Sequence, residues 1–242
     1  MMDSRETTNQ NKSVIGTRRL KEPMAKPAHL RIFTVANQKG GVGKTTSTVN
    51  IGAALAMGGL RTLIIDLDPQ GNASTALGVE HQNNEGIYEV LMGNASIEKV
   101  VQKVAGFPHL ECISSNTALA QAEINLVSMV ARELRLKEAL NELVIAREKL
   151  GTPYDYIFID CPPSLGLLTV NALAAAQELL IPIQCEYYAL EGLTQLLETY
   201  SVVKKRLNTE LKLSTIQTSV QPNLHLNLRA NQTKQGKEFP HG

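Results

Sequence analysis

The sequence predicts an α/β fold, doubly wound around a mostly parallel sheet. Three observations predict it. A strand-like run, a glycine-rich loop, a helical stretch and a second strand-like run follow one another within residues 31–67. Strand-like and helical stretches then keep alternating to about residue 208. The strand-like runs are apolar and rich in β-formers, the mark of strands buried inside a sheet covered by helices.

Residues 31–36 (RIFTVA) are the first buried strand. Residues 44–57 (KTTSTVNIGAALAM) have helical composition and stop at Gly58-Gly59, a good helix end. Residues 61–67 (RTLIIDL) are the next strand. Strand, loop, helix and strand over so few residues make a βαβ unit, which implies a parallel sheet. Residues 109–114 (HLECIS) form another strand. The spacing of Ile124, Val127, Val130 and Leu134 predicts one long helical region over 118–150. Residues 154–160 (YDYIFID) are a strand ended by Cys161-Pro162-Pro163. A helix over 164–176, a strand over 178–183 and a helix over 190–208 follow, the last with a basic end at Lys204, Lys205 and Arg206. There is no internal repeat.

Three regions result. Residues 1–28 are polar, hold Pro23 and Pro27 and lack an apolar period, so they read as an exposed, mobile arm. Residues 29–213 are the α/β domain. Residues 214–242 are a polar tail rich in Gln, Asn, Thr and Ser, with room for one poor strand near 212–220.

Composition narrows the function. A chain of 242 residues, 43% hydrophobic and 19% charged, has the length for a real core. Scarce aromatics and no Trp argue against base-stacking platforms. Cys112, Cys161 and Cys185 lack metal or redox spacing, and their odd number argues against a disulfide framework. They read as buried small residues in a reducing cytosol. The first thirty residues lack the apolar core of a secretory signal. The most apolar runs, near 49–65 and 172–185, are broken by polar residues and do not suit a membrane span. The net charge of +1 divides into +3 over residues 1–28, −4 over 29–213 and +2 over 214–242. Any nucleic-acid contact must therefore come from a local patch or from the ends.

The stretch NQKGGVGKTT, residues 37–46, carries the chemistry. Gly43, Lys44 and Thr45 end a phosphate-loop pattern, but Gln38 holds the position of its first glycine and Lys39 follows. A loop after a strand and before a helix can surround phosphate oxygens with main-chain amides, here those of Gly40, Gly41, Val42, Gly43, Lys44, Thr45 and Thr46. Lys44 would reach the β and γ phosphates of ATP, and the Thr45 hydroxyl would ligate Mg²⁺. Asp160 ends an apolar strand, where a magnesium-orienting carboxylate must sit. Asp66 and Asp68 end the second strand on the same edge; one suits the metal shell and the other the attacking water. Lys39 lies at the outer turn, placed to reach a nucleotide held by a second molecule, as an arginine finger does.

At these residues the sequence resembles the ParA/Soj and MinD group of P-loop NTPases with a deviant Walker A loop. The stretches VANQKGGVGKTTSTVNIGAALA, LIIDLDPQGNASTALG, YDYIFIDCPPSLGLLTVNAL and LLIPIQCEYYALEGLTQLLE are similar to its ParA/Soj branch, the chromosome and plasmid partition ATPases. The segment AEINLVSMVARELRLKEAL also resembles that branch, and the likeness covers about residues 30–212. The resemblance implies an ATP-dependent sandwich homodimer in which Lys39 crosses to the partner's nucleotide. It implies that Gly40 lies where subunits approach, that Asp68 is needed for hydrolysis and that Asp160 is a second magnesium aspartate. It further implies a cytoplasmic, nucleoid-associated protein that binds double-stranded DNA without sequence preference and is reset by a ParB-type partner. Family members continue near Leu213 with another apolar strand and further basic helices. The polar tail stands there instead, as in a domain incomplete at its C-terminal end. A MinD-like membrane regulator is the alternative, but it needs a basic amphipathic helix that the tail lacks. A truncated nucleotide-binding protein without turnover is another. A metal–sulfur carrier would need a cysteine pair of suitable spacing.

Overall fold

The structure, a computed structural model, describes residues 23–80, 85–184 and 190–219. Among these residues seven strands form one sheet: β1 Arg31–Val35, β2 Thr62–Asp66, β3 Val101–Lys103, β4 Leu110–Ile113, β5 Tyr156–Asp160, β6 Glu178–Gln184 and β7 Lys212–Ser219. Their order is β3-β4-β2-β5-β1-β6-β7, with every pair parallel except β3 with β4. Seven α-helices accompany them among the described residues: α1 Lys44–Met57, α2 Asn72–Leu77, α3 Ile87–Met92, α4 Ala122–Leu126, α5 Arg135–Lys149, α6 Leu167–Ala175 and α7 Leu190–Arg206.

The pleat divides the core in two. Phe33, Val35, Ile64, Cys112 and Phe158 point to the face covered by α1 and α2. Ile32, Leu63, Ile65, Ile113, Ile157 and Ile159 point to the face covered by the later helices, meeting Leu140, Leu143, Leu168 and Leu196. Helix α1 lies close on the sheet because its inner stripe is small: Thr48, Gly52 and Ala56 are buried. A Cβ at Gly52 would stand 2.7 Å from Ile64 Cδ1. Cys112 and Cys161 are buried as expected; Cys185 lies outside the described residues.

One expectation meets a correction. The helical region over 118–150 is broken. A 3₁₀ turn over Thr117–Gln121 runs into α4, the chain then turns, and only α5 is a long helix. Ala131 takes the left-handed φ of 52°. Side chains replace the missing helical bonds: Arg132 Nη1 donates to the Val127 carbonyl, and Asn171 bonds the Arg132 carbonyl and the Leu136 amide. Ile124 and Val130 therefore stand 69% and 88% exposed. The poor strand that the sequence allows near 212–220 is present. Strand β7 runs to Ser219 and pairs with β6 along its length. Lys212, Leu213 and Thr215 are exposed, so this strand is held by main-chain bonds, and its side chains carry little apolar signal. Of the expected arm, residues 1–22 lie outside the described ones, and residues 23–26 and 28 are exposed. The Met24 amide donates to the Gly58 carbonyl at 2.9 Å, and its side chain lies against Gly58. No helix among the described residues is long and apolar enough to cross a membrane.

Candidate functional site

Parallel strands deliver their carboxyl ends to one edge, and the loops leaving β1, β2 and β5 meet there. Gly41 and Gly43 take φ of 73° and 88°, left-handed conformations that a side chain would resist. They turn the chain between β1 and α1. The result is a cleft of about 480 Å³ lined by Gly40, Gly41, Gly43, Lys44, Thr45 and Thr46 of the loop. Asp68, Gln70, Asn72 and Pro163 complete its wall.

Lys44 is buried, and its Nζ donates to the Lys39 carbonyl at 3.4 Å. Burial pushes its ammonium below the ordinary range, while the charges of Asp160 and Asp68 pull it back up. Lys39 itself does not line the cleft. Its amide is held by Asn37 Oδ1 at 3.0 Å, and the start of α7 at Gly192 packs beside it. Lys39 is half-buried. Val42 points its side chain into the core, so only its main chain can serve a phosphate.

Asp160 is fully buried at the end of β5. Thr45 Oγ1 donates to its Oδ2 at 2.7 Å, and Thr48 Oγ1 to its Oδ1 at 3.2 Å. Burial raises its pKa to about 7 despite these two bonds, with the charges of Asp66 and Asp68 adding to the rise. Its register partners are Val35 on β1 and Asp66 on β2, so two acids stand side by side on adjacent strands.

Asp66, expected as a metal ligand, has both carboxylate oxygens engaged within the chain. Its Oδ1 accepts from the Asp68 amide at 3.2 Å; its Oδ2 accepts from the Ser74 amide and hydroxyl at 2.7 Å each. The chain leaves the strand after Asp66, so strand alternation no longer relates it to Asp68. Asp66 braces the turn from Asp68 to Ser74, and burial raises its pKa. Asp68 faces the cleft, with Oδ1 accepting from the Gln70 amide at 3.0 Å.

Magnesium suits this donor set. Thr45 and Asp160 offer hard oxygens, and no cluster of three or more His, Cys, Asp or Glu side chains surrounds them among the described residues. A cation that keeps waters and takes phosphate oxygens needs no fuller protein cage. Thr48, Gln70, Asn72 and Pro163 were not singled out in the sequence. Thr48 lies one helical turn beyond Lys44 and Thr45, and that spacing was the available signal.

Comparisons with known proteins identify the family. A family profile described as an AAA domain matches residues 30–213. The sporulation initiation inhibitor protein Soj of Bacillus subtilis is 50% identical over 187 residues, covering 77% of this chain and 71% of that protein. The chromosome partitioning protein ParA of Myxococcus xanthus is 49% identical over 187 residues, covering 77% of this chain and 63% of that protein. A crystal structure of cobyrinic acid a,c-diamide synthase from Mycobacterium smegmatis, with bound ADP and magnesium, has a TM-score of 0.71 and 39% identity. It covers 78% of this chain and 74% of that one.

Proposed function

The chain belongs to the ParA/Soj family of partitioning ATPases, and from that premise we propose that it is a DNA-partition switch that dimerises on ATP and resets by hydrolysing it. The observation that carries this reading is the division of labour between two lysines. Lys44 is buried in the cleft, while Lys39 stands outside it on the outer turn.

The loop amides of Gly40 to Thr46 cradle the phosphates, and Lys44 neutralises charge on the β and γ groups. Thr45 and Asp160 would hold magnesium, which would supply positive charge against the charge that develops on the terminal phosphoryl group. Asp68 orients the attacking water from the opposite wall. Water adds to the γ phosphorus, the bond to the β-phosphate oxygen breaks, and ADP and phosphate leave. Lys39 of each subunit reaches the other's nucleotide, so the closed state exists only with ATP between two copies. The ATP-bound dimer holds double-stranded DNA without sequence preference at the nucleoid. A ParB-type centromere-binding partner stimulates hydrolysis and releases it. The DNA is chromosomal or plasmid. The relatives named for chromosome partitioning and the ADP and magnesium of the similar crystal structure support this reading.

Retention on long non-specific duplex DNA tests it, compared in ATP and ADP at one moderate salt concentration. ATP-dependent retention that is lost in Lys39→Ala is expected. Equal retention in both nucleotides, or none from a monodisperse sample, would refute the switch.

A further inference from the structure

The edge of the sheet opposite the cleft gathers four basic side chains, of which only Arg147 has a counter-ion among the described residues. Arg61 precedes β2, His109 precedes β4, Lys103 ends the antiparallel β3, and Arg147 lies in the last turn of α5. Four separate chain segments thus deliver basic side chains to one place. With Glu111 and Tyr154 they line a cavity of about 290 Å³. Glu111 is the only carboxylate of its lining, and it is already engaged. It accepts the Tyr154 hydroxyl and pairs with Arg147 Nη2 at 3.0 Å. The Arg147 guanidinium also lies 5.1 Å from the Tyr154 ring centre. Its Nε is buried without a hydrogen-bond partner among the described residues. The side chains of Arg61, Lys103 and His109 have neither ion pair nor hydrogen bond among those residues.

A solvated basic face would spread its charges over a convex surface. Here they line a hollow, within a domain whose residues 29–213 carry a net charge of −4. A buried guanidinium N–H without an acceptor is costly, and a neutral ligand would relieve only that cost. An anion also offsets the two free charges of Arg61 and Lys103. The carboxyl end of α5 opposes an anion, but Arg147 and Lys149 in its last turn offset that end. We propose that this cavity binds a phosphate-type oxyanion, held by Arg61, Lys103 and Arg147 with the His109 ring N–H as a further donor.

The probe is inorganic phosphate, and the readout is the His109 ring signal in NMR, assigned with His109→Gln. The full chain is titrated twice, once saturated with ADP and magnesium and once as Lys44→Ala, so that the phosphate loop does not report. A saturable His109 shift is expected in both. Arg61→Ala combined with Lys103→Ala weakens it at least ~10-fold, with an unchanged melting temperature because both side chains are partly or fully exposed. No saturable shift, or equal affinity in the double variant, overturns the proposal. A short oligonucleotide with a 5′-phosphate, against the same strand with a 5′-hydroxyl, identifies the source. Tighter binding of the phosphorylated strand than of inorganic phosphate assigns a terminal organic phosphate, and weaker binding assigns the free ion. Equal binding of both strands would mean a loose basic surface in place of a pocket and also overturns the proposal.

Discussion

Asp66 and Asp160, at the carboxyl edge of the sheet, are fully buried acids, whereas Arg61, Lys103 and Arg147 at the opposite edge are partly or fully exposed cations. The acids are tethered. Asp66 accepts three hydrogen bonds and Asp160 two, all within the chain. Among the cations, Arg147 alone is paired, with Glu111. Burial forces that difference. A carboxylate taken out of water must be bonded or protonated, while an exposed ammonium or guanidinium can rely on solvent. The carboxyl edge is therefore built before any ligand arrives, and its excess acid is matched by the buried ammonium of Lys44 and by the cation a nucleotide brings.

The largest effect should come from removing that ammonium. Lys44→Ala leaves Asp68 and Asp160 beside the phosphates with no internal cation, and ATP affinity should fall by at least ~100-fold in equilibrium binding. Affinity within ~3-fold of wild type would break the electrostatic account of this edge.

The pH dependence comes next. Asp160 is raised to about 7 from an ordinary 3.8. Between those values the folded protein holds a proton that the unfolded chain releases. Its contribution is therefore present at low pH and is lost as pH rises through about 7, and Asp66 shifts in the same direction. Nucleotide-free protein should lose stability over that window, on the order of 2–4 kcal/mol from Asp160 alone. Denaturant midpoints across pH should show the slope, and Asp160→Asn should flatten it. A flat wild-type profile would contradict the burial argument.

The smallest effect belongs to the basic edge. Glu111→Gln removes the one carboxylate of that cavity and weakens its contacts with Arg147 and Tyr154, for a loss of roughly 1 kcal/mol in chemical denaturation. Phosphate should then bind a few-fold more tightly there. Weaker phosphate binding would mean that Glu111 orients Arg147 for the anion more than it competes with it.

The carboxyl edge was legible in the sequence because its chemistry needs glycines, a lysine, a threonine and strand-end aspartates at set spacings. Lys44, Thr45 and Asp68 line the cleft, and Asp160 accepts a hydrogen bond from Thr45. Alternation does not relate Asp66 to Asp68, because it holds only inside a strand and β2 ends at Asp66. The segment after Thr117 was misread for a related reason. Its apolar period continues while Ala131 turns the chain, so a helical spacing leaves Ile124 and Val130 in water. Strand β7 was only faintly visible because main-chain pairing with β6 can hold a strand whose own side chains are largely exposed. The basic cavity had no linear signal, since its residues come from four segments joined only by the fold.

The most direct measurement is a single turnover of ATP labelled on its γ phosphate, with excess protein and magnesium, comparing wild type with Asp68→Ala. Wild type should release labelled phosphate, while Asp68→Ala should bind ATP with similar affinity and release phosphate at least ~100-fold more slowly. Equal release rates would contradict the assignment of Asp68 and of the cleft. Stable binding without cleavage by wild type would leave a nucleotide-binding protein that does not turn over.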